Sequence, residues 1–475
     1  VKLAALNNPV HVNWFTEQST RLDASPYLSG AYEARKLLER LSVDKEPLSS
    51  LTSGHDGGIF NGPQFRRVYM SDARYGVPFM GSTDMLEADL GWLPLLRKKE
   101  AEAFSYLEIK PGMTLISCSG TIGRMSYVRS DMSGIWSSQH VMKVNPDLNR
   151  IQPGYLNAFL QSRYGIPIIT SQASGSIIQH IEPSHIADLP VPRFGSEVEG
   201  RIHALIQQAA DLRERFQGSV REATQDLFKS AGVPELGDLQ WHEKPRALGF
   251  PVHGIRATSL RASNYDTRAR EVMDLIRSVP HKTLGEICAG GSLNSGARFK
   301  RIDSDSDHGG SLLVGQKDGF WMRPEGRWIN PSRAPREIFA ADETVMIASQ
   351  GLPGETALIC RATFVTGRWL EHVYTQHFLR ALSGDPEISG AYLFAFLRSE
   401  SAFRSMRAML VGTGPQDIHP VLRAALPVPI CTPADRERIA NTVRLAYRDR
   451  DEADRSEDQA LRLLDEAVRN AAQQP

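Results

Sequence analysis

Two stretches of the sequence gather side chains suited to holding a polyanion and to hydrogen-bonding flat polar edges. The first offers Gln64, Arg66, Arg67 and Arg74, then Arg97, Lys98 and Lys99. The second offers Arg298, Lys300, Arg301, Lys317, Arg323, Arg327, Arg333 and Arg336, with Phe320, Trp321 and Trp328 interleaved. An arginine fork can grip a phosphate or take two adjacent acceptors on guanine. Each stretch is followed by a glycine-containing turn and then by a Gln-His pair. Ser119, Thr121 and Arg124 surround Gly120 and Gly123 ahead of Gln139-His140, and Ser349-Gln350 precedes Gly351 and Gly354 ahead of Gln376-His377. Glycine lets backbone N–H groups come close to a phosphate. The plain alternatives are a tight turn between strands, a Gln-His pair bonded within the fold, and solvated surface cations. The basic residues count as clusters rather than singly.

Catalytic motifs fail on inspection. An amino-methyltransferase needs Asn/Asp-Pro-Pro-aromatic to hold a flipped base; Asn145-Pro146-Asp147 and Asn330-Pro331-Ser332 begin that way and stop. No G-x-x-x-x-G-K-[ST] phosphate loop occurs. Glu108-Ile109-Lys110 with Asp84 or Asp89 could be arranged as a metal-dependent nuclease centre, but the spacing is common and is not repeated later in the chain. Asp303 to Asp307 starts like a calcium loop, yet His308 stands where glycine is needed and Val314 where glutamate is needed, so a polar turn is the better reading. The four cysteines, Cys118, Cys288, Cys360 and Cys431, are too scattered for a zinc site or a disulfide framework and suit a reducing cytoplasm. No catalytic residue, metal or cofactor is expected.

The chain has 475 residues, enough for two to four domains, and 41% hydrophobic content, enough for folded cores. Lys+Arg and Asp+Glu are balanced at 55 each, so any nucleic-acid-binding charge must be local or shared with partners. The first residues lack a signal-peptide layout, and no apolar run is long enough to span a membrane.

The sequence repeats itself once. Shifted by 237 positions, residues 139–202 match residues 376–439 at 20 of 64 positions, including Gln139-His140 on Gln376-His377 and Leu189-Pro-Val-Pro192 on Leu426-Pro-Val-Pro429. Upstream, with small gaps, 22–27 resembles 260–265, 62–67 resembles 296–301, and Thr114 to Gly120 resembles Thr344 to Gly351. Similarity is weakest at about 68–112 and 302–342. A period this long means two copies of a whole domain. A shared scaffold with differing inserts is what two readers of different targets would show, and drift in idle loops would look the same.

Each copy opens with a short helix, Ala31 to Leu41 and Arg268 to Ile276. Short apolar runs bounded by Gly, Pro, Asp and Ser follow and read as strands: Met113–Cys118, Val141–Val144, Val345–Ala348 and Ala357–Cys360. Helices are expected at Tyr155–Arg163 and Ala391–Arg398. Each globular part closes with Leu-Pro-Val-Pro, whose prolines stop a strand and delay the next helix. Two long helices are then predicted. One runs from about Glu197 to Ser230, with Ile202, Leu205, Ala209, Leu212, Phe216, Val220 and Leu227 in a stripe. The other runs from about Pro433 to Ala471, with Ile439, Val443, Ala446, Ala453, Ala460, Leu464 and Val468. Mixed spacings of three and four with charged outer faces are a coiled-coil pattern. The fold class is therefore mixed α/β (α+β): duplicated sheet-and-helix domains, each followed by a long helix.

In this order and spacing the motifs resemble the specificity subunit of type I restriction–modification systems. The resemblance rests on Ser117-Cys-Ser-Gly-Thr-Ile-Gly123, Gln139-His140, Gly154-Tyr-Leu156, Leu160, Gly175-Ser176, Gln179, Ile181 and Leu189-Pro-Val-Pro192, and on the second copy from Ser349 to Pro429. It covers nearly the whole chain after about residue 22. It implies two target-recognition domains, 1–195 and 233–432, and an antiparallel pair of spacer helices, 196–232 and 433–475. Such a chain is a non-catalytic, cytoplasmic subunit that takes partner enzymes to a bipartite DNA site. The implied partners are double-stranded DNA, two DNA methyltransferase subunits docked on the long helices and, in some complexes, a restriction/translocase subunit; no membrane is involved. The residues expected at the DNA are Gln64, Arg66, Arg67, Ser119, Thr121, Arg124, Gln139 and His140 in the first copy. In the second they are Arg298, Lys300, Arg301, Arg323, Arg327, Gln350, Gln376 and His377. The acidic Glu-Gln pair that usually follows the family's proline motif is replaced by Arg193 to Glu197 and Ile430 to Ala434, which marks a divergent branch. A nuclease acting alone through Glu108, and an inhibitory protein of the same fold that reads no sequence, are the alternatives.

Overall fold

Apolar strands of four or five residues need neighbours on both sides, and here they find them in two four-stranded antiparallel sheets of the same order. The computed structural model describes residues 11–17, 27, 30–173, 180–245, 259 and 261–473. The repeat landmarks at 22–26, 175–176, 179 and 260 lie outside these residues. The chain divides into two compact units, one made of residues 1–214 with 452–475 and the other of 215–451.

In the first unit the sheet runs Ile59–Phe60, Val141–Val144, Thr114–Ser117, Met125–Tyr127. In the second it runs Ser292–Ser295, Phe378–Leu382, Thr344–Ala348, Ala362–Val365. A second sheet in each unit, of four strands in the first and three in the second, contains one parallel pairing, Phe79 beside Trp136 in the first and Leu313 beside Val373 in the second. The expected strand at 357–360 is not formed. The chain turns there, with Ala357 N–H on the Gly354 carbonyl and Cys360 in the left-handed region at φ 73°, and the strand begins at Ala362.

The Leu-Pro-Val-Pro segments do more than stop strands. Pro190–Pro192 pairs with Lys45–Pro47, and Pro427–Pro429 pairs with His281–Thr283. Proline has no N–H for a ladder, so flanking residues supply the donors. Leu48 N–H bonds the Leu189 carbonyl at 2.9 Å and Arg193 N–H the Asp44 carbonyl at 2.8 Å. The second unit repeats this with Leu284 on Leu426 and Ile430 on Pro280, both 2.8 Å. A buried tyrosine ties each segment to a helix earlier in the same unit. Tyr155, on helix Pro153–Leu160, donates to the Pro192 carbonyl; Tyr392, on Gly390–Leu397, donates to the Pro429 carbonyl at 2.8 Å.

The two long helices span Ser196–Ala231 and Pro433–Gln473. Thr432 caps the second, its Oγ1 accepting from Asp435 N–H. Their apolar stripes are buried, apart from the partly covered Leu205. Within the first unit Ala209 and Leu212 meet Ala453, while Ile202, Ile206, Ala460, Leu464, Val468 and Ala471 complete the core around Tyr155, Phe159 and Ile116. Within the second, Phe216 packs edge-on to Tyr447 at 5.0 Å, and Arg438 pairs with Asp226 at 2.8 Å. Rising numbers on one helix meet falling numbers on the other, so the helices pack antiparallel.

Arg213 is the polar element of the seam. Its guanidinium lies 2.9 Å from Asp454 and 2.7 Å from Glu457, with all three side chains nearly covered. The two carboxylates hold its charge firmly against the desolvation that opposes it. Replacing one member of such a group strands the rest without partners. Arg213→Ala is expected to destabilise the first unit by roughly 3–5 kcal/mol, measured as a lower denaturant midpoint, whereas Arg215→Ala, at an exposed pair 3.3 Å from Asp449, should change it by less than about 1 kcal/mol.

Candidate nucleic-acid interface

The strand ladders decide which side chains share an end of each sheet. Ser117 pairs with Val141, so the turn after Ser117 and the Gln-His pair before Val141 emerge together, joined by Cys118 N–H on the His140 carbonyl at 2.9 Å. In the second unit Ala348 pairs with Phe378, and Ser349 N–H bonds the His377 carbonyl at 3.1 Å. This register sets Ser119 equivalent to Gln350. The bridges agree, with Ser119 opposite His180 and Gln350 opposite Asp417.

Around these positions the first unit builds a directed chain of hydrogen bonds. Arg67 donates to Gln139 Oε1 and rests over the Phe79 ring at 5.1 Å. Gln139 Nε2 lies 3.1 Å from His140 Nε2, and His140 Nδ1 lies 2.7 Å from Ser119 Oγ. Arginine can only donate, so Gln139 must turn its oxygen to Arg67 and its amide to the imidazole. His140 Nε2 is then the acceptor, and Nδ1 carries the proton toward Ser119. Burial, helped by the charge of Arg67 and by His180, lowers the His140 pKa and favours this neutral form. Thr121 Oγ1 meets Ser117 Oγ at 2.9 Å, and the N–H groups of Thr121, Gly123 and Arg124 close onto carbonyls within the turn, so they are not free for a phosphate. Gly123 is required there: φ is 81° and an added Cβ would lie 2.2 Å from Thr170 Cγ2. Gln64 and Arg66 are exposed, with no side-chain partner among the described residues.

The second unit shares the frame and differs in its wiring. His377 Nδ1 lies 2.5 Å from Gln350 Oε1, and Gln316 clasps the Gln350 backbone, donating to its carbonyl at 2.7 Å and accepting from its N–H at 3.2 Å. Gln376, the counterpart of Gln139, has no side-chain partner among the described residues. Arg298, Lys300 and Arg301 are exposed and likewise unpartnered among them, Arg327 is paired with Asp303, and Arg323 is half-buried. Phe320 and Trp321 do not line a surface; both are buried, and only Trp328 is exposed. Elsewhere, Arg74 pairs with Asp72 and Arg97 with Glu100, while Lys98 and Lys99 are exposed. The carboxylates considered for a nuclease serve turns: Asp84 accepts from Gly81 N–H at 2.7 Å and Asp89 from Gly91 N–H at 2.9 Å. Among the described residues no cluster of three or more His, Cys, Asp or Glu could hold a metal, and no helix is long and apolar enough to cross a membrane.

Sequence reasoning missed Gln316 and a buried basic pair, Lys143 and Arg380. The pair occupies equivalent positions in the central strands, at the same shift of 237 as the Gln-His pairs. Arg380 donates to the carbonyls of Phe339 at 2.6 Å and Ile338 at 3.1 Å. Lys143 is fully buried with a single bond, to the Val141 carbonyl at 2.9 Å, and burial pushes its pKa down to about 7. The folded value lies below the ordinary one, so stability falls as pH drops from about 10.5 toward 7 and the full penalty is present below that. Lys143→Met is expected to raise the unfolding midpoint of the first unit by about 3–6 °C near pH 7. The gain should vanish as the pH approaches 10.5, and thermal melts across that range test it.

No protein-family model and no curated protein matches the sequence. Solved structures do. The S subunit of a type I restriction–modification system from M. genitalium matches 91% of this chain and 96% of its own, at 12% identity and a TM-score of 0.36. The HsdS subunit from Thermoanaerobacter tengcongensis matches 90% and 95%, at 11% identity and a TM-score of 0.27. A chain from a structural study of complex assembly and conformational transition in the type I R-M system matches 90% and 97%, at 12% identity and a TM-score of 0.24. Over about nine-tenths of its length this chain is similar to type I restriction–modification specificity subunits.

Proposed function

We propose that this chain is the DNA-recognition subunit of a type I-like restriction–modification or methylation-linked defence complex, acting in the cytoplasm without catalysis of its own. The observation that carries the reading is the repeated frame: both units hold a Gln-His pair against the turn from a central strand, with basic residues nearby and different side chains at equivalent places. Residues 1–195 and 233–432 would each read half of a bipartite duplex site. Helices 196–232 and 433–475 would set the unread spacer and offer docking faces to two methyltransferase subunits and, in a restricting complex, to a translocating nuclease. Chemistry on DNA would belong to those partners.

Base contacts specify and phosphate contacts position. Salt should therefore weaken binding steeply, log affinity falling by about 0.9 per neutralised phosphate for each unit of log salt. The deciding measurement is a base-resolution methylome of the host with and without this gene. One split motif should lose methylation on deletion, and exchanging residues 43–192 for those of a related chain should change one half of it. Unchanged methylation in the deletion strain would overturn the reading.

A further inference from the structure

We infer, resting on the recognition reading above, that the two units read different base edges: the first a guanine through Arg67, the second an adenine through Gln376. The same Gln-His pair is a buttress in one unit and a contact surface in the other.

In the first unit the inner residues are bonded to one another. Gln139 faces Arg67 through its oxygen and His140 through its amide, and His140 has both nitrogens engaged. Within this network the group left to meet a ligand is Arg67, half-exposed, fixed at one N–H by Gln139 and lying over Phe79. A guanidinium held in this way presents its remaining donors as a fork, and the matching base edge is guanine, with N7 and O6 side by side. Gln139 is a positioning residue here.

The second unit lacks this wiring. Arg301, two residues after Phe299 as Arg67 is two after Phe65, is exposed and makes no side-chain bond to a described residue. Nothing among those residues fixes its direction, which suits a phosphate contact that adds affinity without sequence preference. Gln376 keeps both ends of its amide available, on a frame held by His377, Gln350 and Gln316. A primary amide with donor and acceptor in one plane matches adenine, whose N7 accepts while N6 donates.

The test uses the full chain together with the methyltransferase subunits that copurify with it, selecting from duplexes randomised at every position. The wild-type complex should select a split motif with a guanine that depends on Arg67 in one half and an adenine that depends on Gln376 in the other. Arg67→Ala should relax that guanine by about ten- to a hundredfold, leaving the other half intact. Gln376→Glu, which accepts but no longer donates, should shift the adenine position toward cytosine, a change of preference that loss of folding cannot imitate. Gln139→Ala should weaken the same guanine as Arg67→Ala. Gln139→Glu should restore it better at pH 6 than at pH 8, because a carboxylate beside Nε2 favours protonated His140. Arg301→Ala should lower affinity for all sequences alike and reduce the salt slope by about one. A split motif that survives Arg67→Ala and Gln376→Glu unchanged overturns this inference and leaves the recognition reading standing. Absence of any motif in the wild-type selection overturns both.

Discussion

Neither unit can close its core with the chain that forms its sheet. In the first, the face of the sheet and helix around Ile116, Tyr155 and Phe159 is covered by Ile202 and Ile206 from one long helix and by Ala460, Leu464, Val468 and Ala471 from the other. In the second, Phe364 and Phe394 lie against Tyr447, and Thr224 donates to the Ala395 carbonyl at 3.0 Å. Burial of apolar surface is the main stabilising term, and here it requires two helices from distant parts of the sequence to lie side by side. The polar group that enters the seam, Arg213 with Asp454 and Glu457, must accept that geometry because little of it is left to water. Hydrophobic stripes favour pairing but tolerate sliding; charged groups bonded across the seam fix the register.

Much of this was legible in the sequence. The shift of 237 found from identities is the shift that relates the ladders, Val141 to Phe378 and Val144 to Ala381, because residues of a ladder keep their mutual spacing when loops change. Pro433 begins a helix because a first-turn residue needs no N–H partner. The failures also have physical causes. The apolar run 357–360 reads as a strand, but Cys360 turns into the left-handed region at φ 73° and the strand begins only at Ala362, a backbone choice that hydrophobicity does not encode. Phe320 and Trp321 stand among arginines in the sequence, but an aromatic ring beside a cation reads the same whether it faces solvent or fills a core; both are buried. Lys143 and Arg380 sit in apolar strands where a cation is unexpected, and only the shared shift marks them as a pair.

The duplicated frame separates what is held constant from what varies. Backbone bonds joining the turn to the histidine carbonyl recur in both units, as do the tyrosine on the proline strand and the flanking donors that replace proline N–H groups. On that frame Ser119 becomes Gln350 and His180 becomes Asp417. Side chains at such positions can change without disturbing the ladder, since the bonds that hold them belong to the main chain. A scaffold made of backbone bonds is therefore permissive toward new contact chemistry.

The second unit is one uninterrupted stretch, 215–451, whereas the first is assembled from 1–214 and the last residues, 452–475. A ribosome delivers chain from the N-terminus, and domains fold as their sequence becomes complete. The unit that begins first is thus the one that must wait, with the apolar face around Ile116 and Phe159 lacking its C-terminal cover until Ala460 to Ala471 emerge. Order of synthesis and order of completion run in opposite directions, and a chain halted before Ala460 would carry a finished second unit and an unfinished first.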